Sequence, residues 1–148
     1  MQGTVSPPES VVRIAHVIYG LYAASFFVGL TAIVAIVLDY IYRGDAEGTW
    51  LASHFRWQIR TFWFSALWGG LLLVAMVVGI FMFFFTAAAP FGLGAGPEAI
   101  ATRLLGAMLA APFTVVAFLV AVLVLSIWVT YRIIRGWAAL ASRQPLPV

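Results

Sequence analysis

Residues 62–84 read FWFSALWGGLLLVAMVVGIFMFF. The stretch carries no charge and sits inside a longer uncharged run of 37 residues between Arg60 and Glu98. A helix needs about 20 mainly apolar residues to cross the hydrocarbon core of a bilayer. Two further runs pass the same test: 25 residues between Arg13 and Asp39, and 28 between Arg103 and Arg132. Each is long enough to cross once, and none contains the internal polar turn that a double crossing needs. Backbone groups in lipid must be satisfied locally, so the spans are read as helices. The expected fold is an all-α integral membrane protein with three transmembrane helices, near 17–38, 62–84 and 113–131, plus a short amphipathic interfacial helix.

Composition agrees. Of 148 residues, 64% are hydrophobic and 9% charged, against about 25% charged in a soluble domain. The chain is too short for two domains of ordinary size. Disulfides, thiolate metal sites and thiol nucleophiles are excluded, because there is no cysteine. Every basic residue is arginine. The net charge of +3 does not indicate nucleic acid, because the arginines are divided among segments beside apolar runs and form no continuous basic surface.

One membrane domain is therefore expected over 1–148. It divides into an N-tail (1–12), a first span (about 14–40), a cytoplasmic turn (43–49), an amphipathic lead-in and second span (about 50–88), an outer loop and interfacial helix (89–111), a third span (about 113–135) and a C-tail (136–148). The first run is read as a retained anchor, since it lacks a basic n-region and exceeds a signal h-region of about 7–15 residues. Pro7 and Pro8 make an extended lead-in, with Ser10 offering a helix cap. Glycines and prolines between Pro90 and Pro97 stop one helix and permit a new start at Glu98. The interfacial helix is expected to end at Pro112, and the competing reading is one third helix that runs on through a kink there.

Orientation follows from the arginines. The N-tail and outer loop hold Arg13 and Arg103; the first loop and C-tail side hold Arg43, Arg56, Arg60, Arg132, Arg135 and Arg143. The positive-inside rule then predicts a multi-pass protein with its N-terminus outside and C-terminus cytoplasmic. Aromatic residues at both edges, among them Tyr19, Tyr22, Trp57 and Trp128, read as interfacial belts.

His54, Gln58, Thr61 and Ser65 recur every three or four residues and share one helical stripe running from the lead-in into the second span. Polar groups on a membrane helix face protein or a wet cavity, so the stripe is either interhelical hydrogen bonding or a polar path. Asp39 is the acid at a span boundary. Its neighbour Arg43 offers only an exposed pair, so Asp39 is expected to pair with Arg60 or Arg132 and tie helices at the cytoplasmic face, the alternative being a solvated helix-end acid at the headgroups. Together Asp39, His54, Gln58, Arg60, Thr61, Ser65 and Arg132 form the candidate cluster. His16 and His54 are expected at opposite edges, ~30 Å apart by helical rise, which leaves no shared metal or haem; a site built from Asp45, Glu47 and His54 matches no strong spacing. No phosphate loop, zinc-protease pair or nucleophile elbow is present, so neither catalysis nor a cofactor is expected. Small-residue pairs such as Gly20 with Ala24, Ser65 with Gly69 and Ala66 with Gly70 suit close helix packing.

The first span, polar turn and His54-x-x-x-Gln58 helix, with Tyr131-Arg132-Ile133-Ile134-Arg135-Gly136 and Gln144-Pro145-Leu146-Pro147 closing the chain, resemble a family of small bacterial membrane proteins of unknown function. That family is grouped with Tic-type import components of the plastid inner envelope. The pattern differs at Arg56-Trp57-Gln58, where many relatives have Ala/Leu-Asn-Phe-Gln. The resemblance implies a bacterial inner-membrane location and, through the plastid relatives, a part in protein translocation. The expected role is a non-catalytic accessory or assembly subunit acting through helix contacts, with the lipid bilayer and other membrane subunits or further copies as partners. The rival is an oligomeric transport or translocation component.

Overall fold

The computed structural model describes residues 6–92 and 96–147, excluding the side chains of 88–92. Parts of the expected N-tail and outer loop, 1–5 and 93–95, lie outside the described residues. The described chain is all-helical. Helix α1 spans Glu9–Ala24, α2 Leu30–Tyr42, α3 Ala52–Gly92 and α4 Pro97–Ala141, with a short 3₁₀ turn at Gly44–Ala46. Two of these, α3 and α4, are long and apolar enough to cross a membrane; their best windows have mean hydropathies of 2.5 and 2.7.

The single helix expected over 14–40 is two helices. The chain breaks after Ala24, and α2 packs back on α1. At ~24 and ~20 Å by helical rise, neither spans a hydrocarbon core of ~30 Å. Hydroxyls take up backbone groups at the break. Ser25 Oγ donates to Tyr22 O at 2.7 Å, and the Thr31 hydroxyl lies 2.9 Å from both Leu21 O and Val28 O. Helix α1 starts at Glu9 with Pro8 at its N-cap and no side-chain cap, so Ser10 is not the cap.

The expected interfacial helix is also revised. α4 runs through Pro112 without a break. Proline removes one backbone bond, and next to it the Thr114 hydroxyl adds a bond to Ala110 O at 3.1 Å. In a long apolar helix one lost bond kinks more readily than it terminates.

The chain forms two compact units: Met1–Ala66 with Ile127–Val148, and Leu67–Ser126. In the first, apolar positions of α1 recur at helical spacing (Ala15, Ile18, Tyr19, Tyr22) and pack with Ala35 of α2, Leu51 and Phe55. The α2–α3 connection turns at Gly48, where φ is +75°, a conformation glycine adopts without cost. Thr49 Oγ1 then accepts Leu51 N–H at 3.2 Å, closing the turn that leads into α3. The C-tail folds back onto this start. Leu146 N–H donates to Ser53 Oγ at 3.0 Å, and α4 ends with Arg143 at φ +52° and Gln144 N–H bonded to Ala139 O, a Schellman-like closure.

The second unit is different in kind. Leu71, Val74, Phe81, Leu119 and Leu123 are all at least half exposed, and no large side chain of this unit is fully buried among the described residues.

Candidate functional site

The polar stripe of α3 faces the inside of the first unit. His54 and Gln58 are buried to 0% and 1% exposure, and Thr61 is also buried. Ser65 is half-buried and Arg60 exposed, so Arg60 lies off the stripe. His54 Nε2 donates to Gln144 O at 2.9 Å, because a carbonyl only accepts. Its Nδ1 is then the acceptor, and Tyr19 O–H donates to it at 3.3 Å. Burial lowers the pKa of this imidazole at the start of α3, with the Gln144 bond opposing the shift.

Tyr19 lies on α4 where Gly136 leaves room. A Cβ at 136 would stand 2.8 Å from two carbons of the Tyr19 ring. The ring stacks on Trp137 at 6.4 Å between centroids and 11° between planes, and Trp137 Nε1–H donates to His16 Nδ1 at 3.0 Å. His16 and His54, expected ~30 Å apart, are thus joined through two aromatic side chains. Glu9 pairs with Arg143 at 2.9 Å. The two tails, expected on opposite sides of the membrane, meet, because the α1–α2 turn doubles the chain back.

Asp39 is fully buried. Its partner is Tyr22, whose hydroxyl donates to Oδ2 at 2.8 Å, and among the described residues Oδ1 has no partner. Among the described residues the ion pair is Glu9–Arg143 alone. The expected pair between Asp39 and Arg60 or Arg132 is therefore corrected: the doubled-back α1 presents a phenol to Asp39 where a guanidinium was anticipated.

Arg132 instead clamps α3. Its Nε donates to Thr61 Oγ1 at 2.7 Å, Nη2 reaches Trp57 O at 3.4 Å, and the guanidinium sits 3.6 Å from the Trp57 ring centroid. Trp57 Nε1–H returns a bond to Arg132 O at 3.1 Å. Arg132, Thr61 and Gln58 border a cleft of about 230 Å³, open to the surface, whose other walls include Tyr22, Phe62 and Val129. Among the described residues neither Gln58 amide atom has a partner. The cleft thus offers an immobilised cation, a carboxamide able to donate and accept, and apolar walls.

Of the candidate residues, the first unit gathers Gln58, Thr61, Ser65 and Arg132 around the cleft. His54 is held instead by Tyr19 and the C-tail, Asp39 by Tyr22, and Arg60 is at the surface. Tyr19, Tyr22 and Trp57, read as interfacial aromatics, are structural partners of the site. For the two tyrosines the signal is the spacing of Ala15, Ile18, Tyr19 and Tyr22, one buried face of α1. Among the described residues no three His, Asp or Glu side chains gather in a metal-binding group, Asp45, Glu47 and His54 included.

Comparisons with protein-family models, with curated proteins and with solved structures find no match.

Proposed function

We propose that this is a non-catalytic integral membrane protein of a bacterial inner membrane, acting through helix contacts as an accessory or assembly subunit. The observation that carries the reading is the contrast in surface. The unit Leu67–Ser126 exposes large apolar side chains along both of its helices, which water penalises and lipid or a partner helix accepts. Gly69 and Gly70 leave open space where a Cβ would stand, which suits close approach of another helix.

In this reading α3 and α4 cross the bilayer, α3 entering after Arg60. The α1–α2 hairpin stays on the side of the chain ends, since Glu9 pairs with Arg143. Seven of the eight arginines then belong to the cytoplasmic unit and only Arg103 to the other, a stronger asymmetry than three spans gave. Single cysteines test it. An impermeant thiol reagent on intact cells labels Gly96→Cys but neither Ser10→Cys nor Ser142→Cys. Labelling of Ser10→Cys from outside overturns the arrangement.

A rival reading, an oligomeric transport or translocation component, draws on the buried polar stripe from His54 to Ser65 of α3. Native mass spectrometry in a mild detergent separates the two. A stoichiometric foreign subunit supports the accessory role, and a ring-sized homo-oligomer supports the rival.

A further inference from the structure

The cleft beside Arg132 holds features that packing does not account for. Gln58 is 1% exposed, lines the cleft and leaves both amide atoms unpartnered. Buried polar groups in folded proteins are nearly always paired, so a buried carboxamide facing a cleft asks for a partner from outside the chain. Arg132 is fixed by Thr61 and by the Trp57 face, yet among the described residues no acid pairs with it. Its electrostatic neighbours are the like charges Arg60 and Arg135. Arg132 is the charged side chain in the cleft lining, and Arg60 and Arg135 add positive potential to it; a guanidinium without a counter-charge selects an anion, and a fixed one suits phosphate geometry. The remaining walls are mostly apolar, Phe62, Ala66 and Val129 among them, and the Ser25 and Ser65 hydroxyls there are bonded to nearby backbone carbonyls; the cleft volume of about 230 Å³ suits a headgroup and leaves acyl chains to exit through its open side.

We propose that this cleft binds one anionic glycerophospholipid headgroup, its phosphodiester on Arg132 and a headgroup hydroxyl on Gln58. Phosphatidylglycerol has this chemistry. Its phosphate supplies the missing counter-charge, its hydroxyls donate to Gln58 Oε1, and its oxygens accept from Gln58 Nε2. A zwitterionic headgroup brings a cation toward Arg132 and the positive potential of Arg60 and Arg135 and is disfavoured. The inference rests on the membrane-integral reading.

The test uses the full chain, delipidated in neutral detergent and titrated with phosphatidylglycerol or phosphatidylcholine under native mass spectrometry. One phosphatidylglycerol is expected per chain, held at least tenfold more tightly than phosphatidylcholine. Gln58→Met and Arg132→Gln should each reduce that preference at least tenfold. Gln58→Met removes an unpartnered amide at similar volume, so its melting temperature without lipid should hold or rise. This variant keeps the test decisive should Arg132→Gln fail to fold. Equal retention of the two lipids overturns the proposal, as does full preference in Gln58→Met. A fall in its lipid-free melting temperature assigns Gln58 a structural role and also overturns it. Free glycerol 1-phosphate competing as well as the lipid overturns the lipid source in favour of a soluble phosphate. Retention of the protein in membranes after alkaline carbonate, read separately, distinguishes a failed lipid site from a failed membrane assignment.

Discussion

The two units of this chain solve opposite problems. The first buries polar groups against one another: Tyr19 on His54, Tyr22 on Asp39, Arg132 on Thr61. The second has little to bury and leaves Leu71, Phe81 and Leu119 facing outward. The difference lies in what each asks of its surroundings. A polar core specifies partners by geometry and is costly when one is removed. An apolar helical pair specifies little and takes its stability from the medium it lies in. Substitutions should therefore act locally and strongly in one unit and weakly in the other.

The largest effect should come from the packed core. Phe55→Ala, at a position 1% exposed, should lower stability in detergent by about 3–5 kcal/mol, whereas Leu119→Ala, 58% exposed, should cost within about 0.5 kcal/mol. Thermal unfolding of both variants decides it, and comparable losses would erase the contrast between units. Glycines sharpen the same point. Gly136→Ala drives a methyl into the Tyr19 ring and should cost about 1–3 kcal/mol. Gly69→Ala meets nothing within 4 Å and should leave detergent stability unchanged or slightly raised.

Next comes the Tyr22–Asp39 bond. Tyr22→Phe leaves a buried carboxyl group with no partner and should cost about 1–3 kcal/mol. A double-mutant cycle with Asp39→Asn should show coupling; the same cycle with Arg60→Gln, in place of Tyr22→Phe, should be additive. Coupling to Arg60 would restore the ion pair that the structure does not show.

Acid should act through His54. Its folded-state pKa lies below the ordinary value near 6.5, so in the window beneath that value the unfolded chain binds the proton first. Stability is then full above about pH 6.5 and falls as pH drops, by at most about 1.4 kcal/mol per unit for one group. His54→Gln should flatten that slope in pH-dependent melts. Smallest of all is Glu9→Gln. The Glu9–Arg143 pair is about two-thirds exposed on both sides, and its loss should move the melting temperature by no more than a shift of about 0–1 kcal/mol implies.

How much of this was legible beforehand follows the same division. The long apolar runs of α3 and α4 announce themselves by length alone, and the stripe His54, Gln58, Thr61, Ser65 by its spacing. The hairpin was hidden, since the residues of its turn, Ser25-Phe26-Phe27-Val28-Gly29, are as apolar as a span and hold no proline. Its cause is tertiary: Thr31 reaching back to Leu21 O, and Tyr22 to Asp39. With the hairpin unseen, every inference that depended on which end lay where was displaced, including the Asp39 pairing and the separation of the histidines. Gly136 was hidden for the same reason. It has no small neighbour at four-residue spacing on the side that matters, and its partner is a tyrosine far away in sequence.

The first unit is built from Met1–Ala66 and Ile127–Val148, with the apolar unit between them in the chain. Helix α1 cannot acquire Gly136, Trp137 or Arg143 as neighbours until Ile127–Val148 has been synthesised, and His54 cannot donate to Gln144 until then. During translation the exposed alternative is a pair of short helices with an unsealed aromatic and polar face, waiting while Leu67–Ser126 emerges. Such distant closure is slow and leaves the early segment open to wrong partners. Residues 144–146, fastened to Ser53 and His54, thus latch the first unit only after the apolar segment has emerged.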